Sequence, residues 1–424
     1  MTNLDLRADR GLIRSTGGSV RYVLARIEAP AAPPSTDRRP VNLAFVLDRS
    51  GSMSGEKIDL AREGVLTGIR SLRESDRFAV VVFDSEVEVV VPSTLATPAA
   101  RREAEQLVRG IEPRNMTDLS GGWLTGCEQV AAALADEAIG RCLLLTDGQA
   151  NRGITDQGEL VRHAQELAAR GIATSTFGVG RDFDENLLEA MATAGGGNFY
   201  YISSGVQIPD FLASEVGEAL EVVAREVRLE VEAPAGVLVS SLNDLLASHD
   251  GSRQRFAIGS LLSEQRFDAV LRVELPAQGE AQTLRLRCSL ADRDGALAGE
   301  ARELRFTYAG QGENDRQPRD HEVDREVAKL FAARARAAAL RRNRRGDYDG
   351  AKLVLVKTAV RIRAYAAADP EMLRWAQELE LAQDEYGGGM DAASMKEKHF
   401  IATSMVHNRT YDGKAKRKPG PSRG

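Results

Sequence analysis

The sequence predicts a mixed α/β protein: a doubly wound, Rossmann-like parallel sheet inserted in a β-sandwich and followed by a C-terminal helical region. Three observations predict it. Between about Val41 and Val223, near-continuous apolar runs of strand length alternate with amphipathic stretches of helix length, the pattern of βαβ units. On both flanks of that region, segments alternate apolar and polar residues with period two, the pattern of half-buried strands. From Arg319 onward, apolar residues recur at helical spacing.

Composition sets the frame. At 424 residues the chain has room for two or three domains. Hydrophobic residues at 43% and charged residues at 28% are those of a globular protein. A formal net charge of -6 is mild, so neither nucleic acid nor an anionic membrane is an expected partner. The first twenty residues carry Asp5, Arg7, Asp9 and Arg10 and no apolar core segment, so no signal peptide is expected. No run approaches the roughly 18 to 20 apolar residues that cross a bilayer, and the expectation is a soluble, cytoplasmic protein. Cys127, Cys142 and Cys288 are odd in number and widely separated, which argues against a disulfide framework.

Residues 1–40 read as the first β segment of the sandwich, with Leu4 to Ile13 and Val20 to Ile27 forming a hairpin around "STGGS". Residues 41–223 form the α/β domain. Its strands are "VNLAFVLD", "RFAVVVFD", "RCLLLTDG" and "GIATSTFGVG", apolar enough to be buried on both faces. Its helices are Lys57 to Leu72, Ala99 to Val108, Gly121 to Ala135, Asp156 to Ala169 and Asp184 to Ala192, and "VEVVVPST" is an antiparallel edge strand. Residues 224–310 return to period two in "EVRLEVEAP", "RQRFAIG", "FDAVLRVELP", "TLRLRCSL" and "ELRFTYAG", making about seven flanking strands in all. Residues 319–386 form a helical hairpin or bundle, turning at "GDYDG" and again at Asp369-Pro370. Residues 387–424 are a partly flexible tail in which Ala392 to Val406 can form a short helix. The basic cluster Arg334, Arg336, Arg341, Arg342, Arg344 and Arg345 is read as a solvated face with nearby acids.

Ligands of an open parallel sheet bind at the carboxyl ends of its strands. Three polar loops fall there. The first is "DRSGSMSG", in which Asp48, Ser50 and Ser52 share one parity and can present three oxygens to one point, Gly51 giving the turn. "RNMTDLSGG" offers the hydroxyl of Thr117 and "LLLTDGQAN" the carboxylate of Asp147. Carboxylates and hydroxyls are hard donors, suited to Mg²⁺, Mn²⁺ or Ca²⁺ and poorly to zinc or copper. The ordered set D-x-S-x-S, T-D and T-D-G resembles the metal-ion-dependent adhesion site of von Willebrand factor A domains. The resemblance covers Val41 to Val223, and its three elements arrive in the family's order, each at a strand end. It implies that Asp48, Ser50, Ser52, Thr117 and Asp147 surround one divalent cation, the serines and the threonine ligating directly and one or both aspartates acting through water. It further implies a cation that stays electrophilic and takes a carboxylate from an Asp or Glu of a protein partner. The expected function is thus a metal-dependent protein-interaction module or scaffold, without bond-breaking chemistry.

Plainer roles stand beside these. Asp48, Ser50 and Ser52 could form a polar turn before a helix starting near Ser54 and Glu56, and Thr117 could cap the helix near Leu119. Asp118 is read as holding its loop, and Asp84 as a turn former. An alternative is an A-type subunit working with an AAA+ ATPase, in a chelatase-like or MoxR-like system. A metal-dependent hydrolase is a further alternative, but His163, His249, His321, His399 and His407 all lie outside the three loops and no G-x-x-x-x-G-K-[ST] loop is present.

Overall fold

The structure is a computed structural model; it describes residues 3–32, 38–114, 116–250, 253–279, 282–297 and 299–417. The chain divides into two compact units, one from Ala32 to Val222 and one made of the residues before and after it.

The elements before the first unit are β1 (Leu4–Ala8), β2 (Leu12–Arg14) and β3 (Ser19–Glu28). The first unit then contains β4 (Val41–Asp48), α1 (Glu56–Ser71), β5 (Arg77–Phe83), β6 (Val87–Leu95), α2 (Pro98–Arg109), α3 (Leu119–Ala131) and β7 (Ile139–Thr146). It continues through α4 (Gln157–Ala169), β8 (Ile172–Val179), α5 (Glu185–Ala194), β9 (Gly196–Ile202) and α6 (Ile208–Leu220). Its six strands lie in the order β6-β5-β4-β7-β8-β9, parallel throughout except for β6, which pairs antiparallel with β5 at the edge. This is the doubly wound, Rossmann-like arrangement, and β4 sits at its topological switch: the next strand in sequence pairs on one side and β7 on the other.

All eight residues of β4 are buried, and successive side chains of a strand point to opposite faces. Phe45 meets Gly68 of α1 on one face, where a Cβ would come 2.8 Å from its ring, and Val46 meets Gly126 of α3 on the other, where a Cβ would come 2.2 Å from a methyl. Helices therefore cover both faces, and the absent side chains at these glycines let them lie close to the sheet. Each fully buried Val, Leu or Phe in such a layer contributes roughly 1.5 to 3 kcal/mol. Two elements of this unit have no counterpart in the sequence reading, β9 and α6; the three glycines that open "GGGNFYYI" obscure the strand signal.

The second unit continues with β10 (Val222–Glu232), β11 (Leu238–Ser241), β12 (Ala247–Asp250), β13 (Arg253–Leu262), β14 (Arg266–Leu275), β15 (Thr283–Ala291) and β16 (Arg302–Ala309). With β1 to β3 these ten strands form a four-stranded sheet, β1-β3-β14-β11, and a six-stranded sheet, β12-β13-β10-β15-β16-β2. Val23, Ala25 and Ile27 from the first share one core with Leu229, Val231, Leu286 and Phe306 from the second. The N-terminal hairpin is only half as expected. β1 pairs with β3, but β2 leaves that sheet and runs parallel to β16. The break is at Asp9: its N–H still donates to Tyr22 O at 2.8 Å, but its buried carboxylate takes the place of its carbonyl in accepting from Tyr22 N at 2.8 Å, while the carbonyl accepts from Asp320 N at 2.9 Å.

The helical region comprises α7 (Gln311–Arg316), α8 (His321–Asn343), α9 (Tyr348–Ala366), α10 (Pro370–Tyr386) and α11 (Ala392–Val406). Alanines 328, 332, 335 and 339 of α8 form a small-residue seam that packs with Leu355 and Ile362 of α9 and Met372 and Leu379 of α10. Asp320, Asp369 and Asp391 cap their helices by accepting from first-turn amides. The helix read at Ala392 to Val406 is α11; after it the chain folds back, Arg266 N donating to Lys416 O at 3.0 Å and Gln265 bridging Arg417 at the start of β14. Residues 418–424 lie outside the described residues. In the basic cluster Arg334, Arg336 and Arg342 have acidic partners in Asp244, Glu378 and Asp347. Among the described residues, no helix is long and apolar enough to cross a membrane.

Candidate metal centre

β4 ends in Asp48 and β7 in Thr146, and the two strands are adjacent and parallel, so the loops leaving them start side by side. Asp48 Oδ1 accepts from Ser50 N at 2.7 Å and its Oδ2 accepts from the Thr146 hydroxyl at 2.6 Å. That hydroxyl in turn accepts from Gly148 N at 3.1 Å, tying the second loop to the first. Ser50 is extended and Gly51–Met53 form one 3₁₀ turn, closed by Met53 N donating to Ser50 O at 3.0 Å. The turn brings Ser50 Oγ and Ser52 Oγ to 3.1 Å of each other. The two serines therefore converge through a turn rather than through the strand parity expected above. Ser52 Oγ donates to Asp147 Oδ1 at 2.6 Å.

The third loop comes from the chain between α2 and α3. Thr117 is buried and forms no hydrogen bond through its hydroxyl among the described residues. A Cβ placed on Gly148 would lie 3.4 Å from Thr117 Oγ1 and 3.8 Å from Asp48 Oδ2, so both oxygens face the same small space, left by the missing side chain. The cap of α3 is Asp118, which accepts from Gly121 N at 2.9 Å and from Ser120 Oγ at 3.0 Å. Thr117 is thus not spent on the helix. The structure brings all five candidate residues together at the carboxyl ends of β4 and β7.

Charge is sparse here. Asp48 and Asp147 are both buried. Burial pushes the Asp48 carboxyl up to about 6, with Asp147 adding to the rise, against hydrogen bonds from Ser50 and Thr146 that hold it down. Two carboxylates and three hydroxyls packed oxygen to oxygen fit a small, hard divalent cation. Among the described residues no group of three or more His, Cys, Asp or Glu side chains could hold a metal ion, so this mixed set is unlike a histidine, thiolate or all-acid centre.

Three residues that hold the site escaped sequence reasoning, and a fourth, Asp84, reads only as a turn former in the sequence. Thr146 orients Asp48, as described. Lys57, in the first turn of α1, places Nζ 2.5 Å from Asp147 Oδ2. Arg49 fills the first variable position of D-x-S-x-S, yet it is buried and pairs with Asp84 Oδ2 at 2.7 Å and with Glu88 at 2.7 Å. Asp84 also forms the expected turn by accepting from Glu86 N at 2.8 Å. The backbone of this pair completes the frame: Arg114 N donates to Arg49 O at 2.6 Å and Asp118 N to Asp84 O at 2.7 Å, which clamps the Thr117 loop against the Asp48 loop. An arginine directly after the acid was visible in the sequence, but its partner 35 residues away was not.

The family model of the von Willebrand factor type A domain matches residues 42–214. Residues 42–214 are a von Willebrand factor type A domain. Such domains are generally protein-interaction modules. An uncharacterized Escherichia coli protein, YfbK, is 28% identical over 212 residues, covering 49% of this chain and 36% of its own. The rat inter-alpha-trypsin inhibitor heavy chain H3 is 31% identical over 185 residues, covering 42% of this chain and 21% of its own. The chain thus spans about a third and a fifth of the length of these two relatives. Among solved structures, a von Willebrand factor type A protein from Catenulispora acidiphila shares the fold with a TM-score of 0.67 at 18% identity, covering 90% of this chain and 96% of that one. The neighbour's coverage extends beyond the A domain to the flanking strands and helices.

Proposed function

We propose that Asp48, Ser50, Ser52, Thr117 and Asp147 hold one divalent cation, magnesium first with manganese or calcium as substitutes, and that the A domain uses it to bind an Asp or Glu carboxylate of a partner protein. The observation that carries the reading is the gathering of these five side chains, from three loops, around the space beside Gly148. Five donors leave room for one more in a six-coordinate magnesium sphere. When bound, the cation supplies an electrophilic position open to one anionic oxygen. The two carboxylates no more than balance its formal charge, one or both of them through water, and the three hydroxyls are neutral, so the ion stays electrophilic enough to take an incoming carboxylate.

The proposal includes no bond-breaking step. A hydrolytic reading needs a general base within hydrogen-bond reach of the reacting centre, and none of the five histidines belongs to the three loops. The flanking strands are proposed to form the β-sandwich into whose sequence the A domain is inserted, and the chain is proposed to serve as a scaffold component. A cytoplasmic location is part of the same proposal, and fractionation of cells followed by immunoblotting tests it.

Titration calorimetry with MgCl₂, MnCl₂ and CaCl₂ on the full chain tests the metal site: one cation bound by the native protein and none by the Asp48→Ala variant is the expected result. A pull-down from lysate with Mg²⁺ should retain partners that EDTA releases and that Asp48→Ala does not recover. Absence of magnesium, manganese and calcium uptake, or partners indifferent to EDTA, overturns the reading.

A further inference from the structure

The ammonium of Lys57 donates to Asp147 Oδ2 at 2.5 Å and to Ser52 O at 3.3 Å. The opposite oxygen of Asp147 accepts from Ser52 at 2.6 Å, so Asp147, which is 1% exposed at its side chain, is engaged at both oxygens, on one side by a full positive charge. Lys57 comes from the second residue of α1, where the helix dipole disfavours a cation and favours acids such as its neighbours Glu56 and Asp59. A lysine in that position works against the helix and is held by the site. Its side chain is 33% exposed and passes the end of β8, where a Cβ on Gly180 would come 3.7 Å from Nζ.

We propose that Lys57 is the resident counter-ion of the metal centre, a tethered cation that balances the buried Asp147 and that a divalent ion must displace. The inference rests on the metal-site reading above and adds a regulation of that same site: the affinity for the ion is set by competition with a side chain. Removing the ammonium frees one oxygen of Asp147 and lifts a like-charge repulsion from the incoming ion. The same removal leaves the carboxylate without its charge partner when no ion is bound. Lys57→Met should therefore act with opposite signs in the two states, which loss of simple packing would not do.

The test titrates Mn²⁺ alone into the full-length native, Lys57→Met, Lys57→Arg and Asp48→Ala proteins, reading bound ion from the loss of the free Mn²⁺ paramagnetic resonance signal, with melting temperatures taken in EDTA. The expected result is binding about tenfold tighter in Lys57→Met than in the native chain, as loss of one unit charge a few ångströms from the ion implies, and native-like affinity in Lys57→Arg. In EDTA, Lys57→Met should melt below the native protein. Native binding that Asp48→Ala abolishes, together with equal or weaker binding in Lys57→Met, overturns this inference and leaves the metal site standing. Lack of binding in both native and Lys57→Met proteins, or unaltered binding in Asp48→Ala, overturns both. Binding by Lys57→Met where the native chain binds none supports the inference in its strongest form.

Discussion

The Arg49–Asp84 pair lends itself to a quantitative test, because both groups are almost wholly buried and the backbones of both residues hold the third loop of the site. Arg49 Nε lies 2.7 Å from Asp84 Oδ2, with side-chain exposures of 4% and 2%. Replacing Arg49 by Met strands the Asp84 carboxylate, which keeps its bonds from Glu86 N and Ser85 Oγ but loses the guanidinium paired with it. Removing one member of a buried pair costs about 3 to 5 kcal/mol. The remaining amide bond puts this case near the lower end, about 3 kcal/mol. The second partner, Glu88, is half exposed, so its loss adds at most about 1 kcal/mol. In a unit of this size about 3 kcal/mol lowers the melting temperature by roughly 6 to 12 °C.

Asp84→Leu strands the guanidinium instead, but Arg49 can still reach Glu88 at the rim, and the cost should be about 2 kcal/mol. The double variant carries neither charge. Apolar replacement of both members of a buried pair is often close to neutral, so Arg49→Met with Asp84→Leu should return to within about 1 kcal/mol of the native stability, far from the sum of the single effects. Urea unfolding followed by the fluorescence of Trp123, buried in the same unit, measures this in a Trp375→Phe background. A double variant as unstable as the two singles added together would refute the account, and so would an Arg49→Met protein within 1 kcal/mol of native.

Two further outcomes follow from single sites. Asp76 is fully buried; burial pushes its carboxyl up, but the Arg38 guanidinium and the amides of Arg73 and Val41 outweigh that and hold it below the ordinary carboxylate range. A carboxyl lowered in the folded state contributes stability above its unfolded pKa of about 3.9 that is lost as pH falls through the folded value, so the stability gap between native and Asp76→Asn proteins, about 3 kcal/mol, should stay level from pH 8 to pH 5 and close below about pH 4 in circular-dichroism unfolding curves. Gly126→Ala, which drives a Cβ to 2.2 Å from Val46 Cγ2, should destabilise the A domain by about 1 to 3 kcal/mol, and adding Val46→Ala should recover part of the loss in the same assay.

What could be read from the sequence divides along a physical line. Apolar runs and loop polarity are local, so β4, β5, β7, β8 and the five candidate oxygens stood out, and the structure brings those five together. The short polar strand β12 carries no period-two signal, because "ASHD" has no buried face to mark. The departure of β2 depends on the buried carboxylate of Asp9 meeting an amide 13 residues away. Arg49 looked interchangeable because the first x of D-x-S-x-S carries no constraint until Asp84 is brought beside it. Lys57 looked like one more polar residue on an amphipathic helix.

The same line separates the groups proposed to touch the cation from those that would decide how well it binds. The first lie in three short loops, two leaving strand ends and one between α2 and α3, and a motif finds them. The second act through contacts that only the fold creates: Thr146 on Asp48, Lys57 on Asp147, Arg49 and Asp84 on the loop that carries Thr117. Two A domains could therefore share every motif oxygen and still differ by about an order of magnitude in metal affinity, since one unpaired charge a few ångströms from a divalent ion changes its binding by about tenfold. On this reasoning the motif specifies what kind of ion enters, and the lysine at the head of α1 specifies at what concentration.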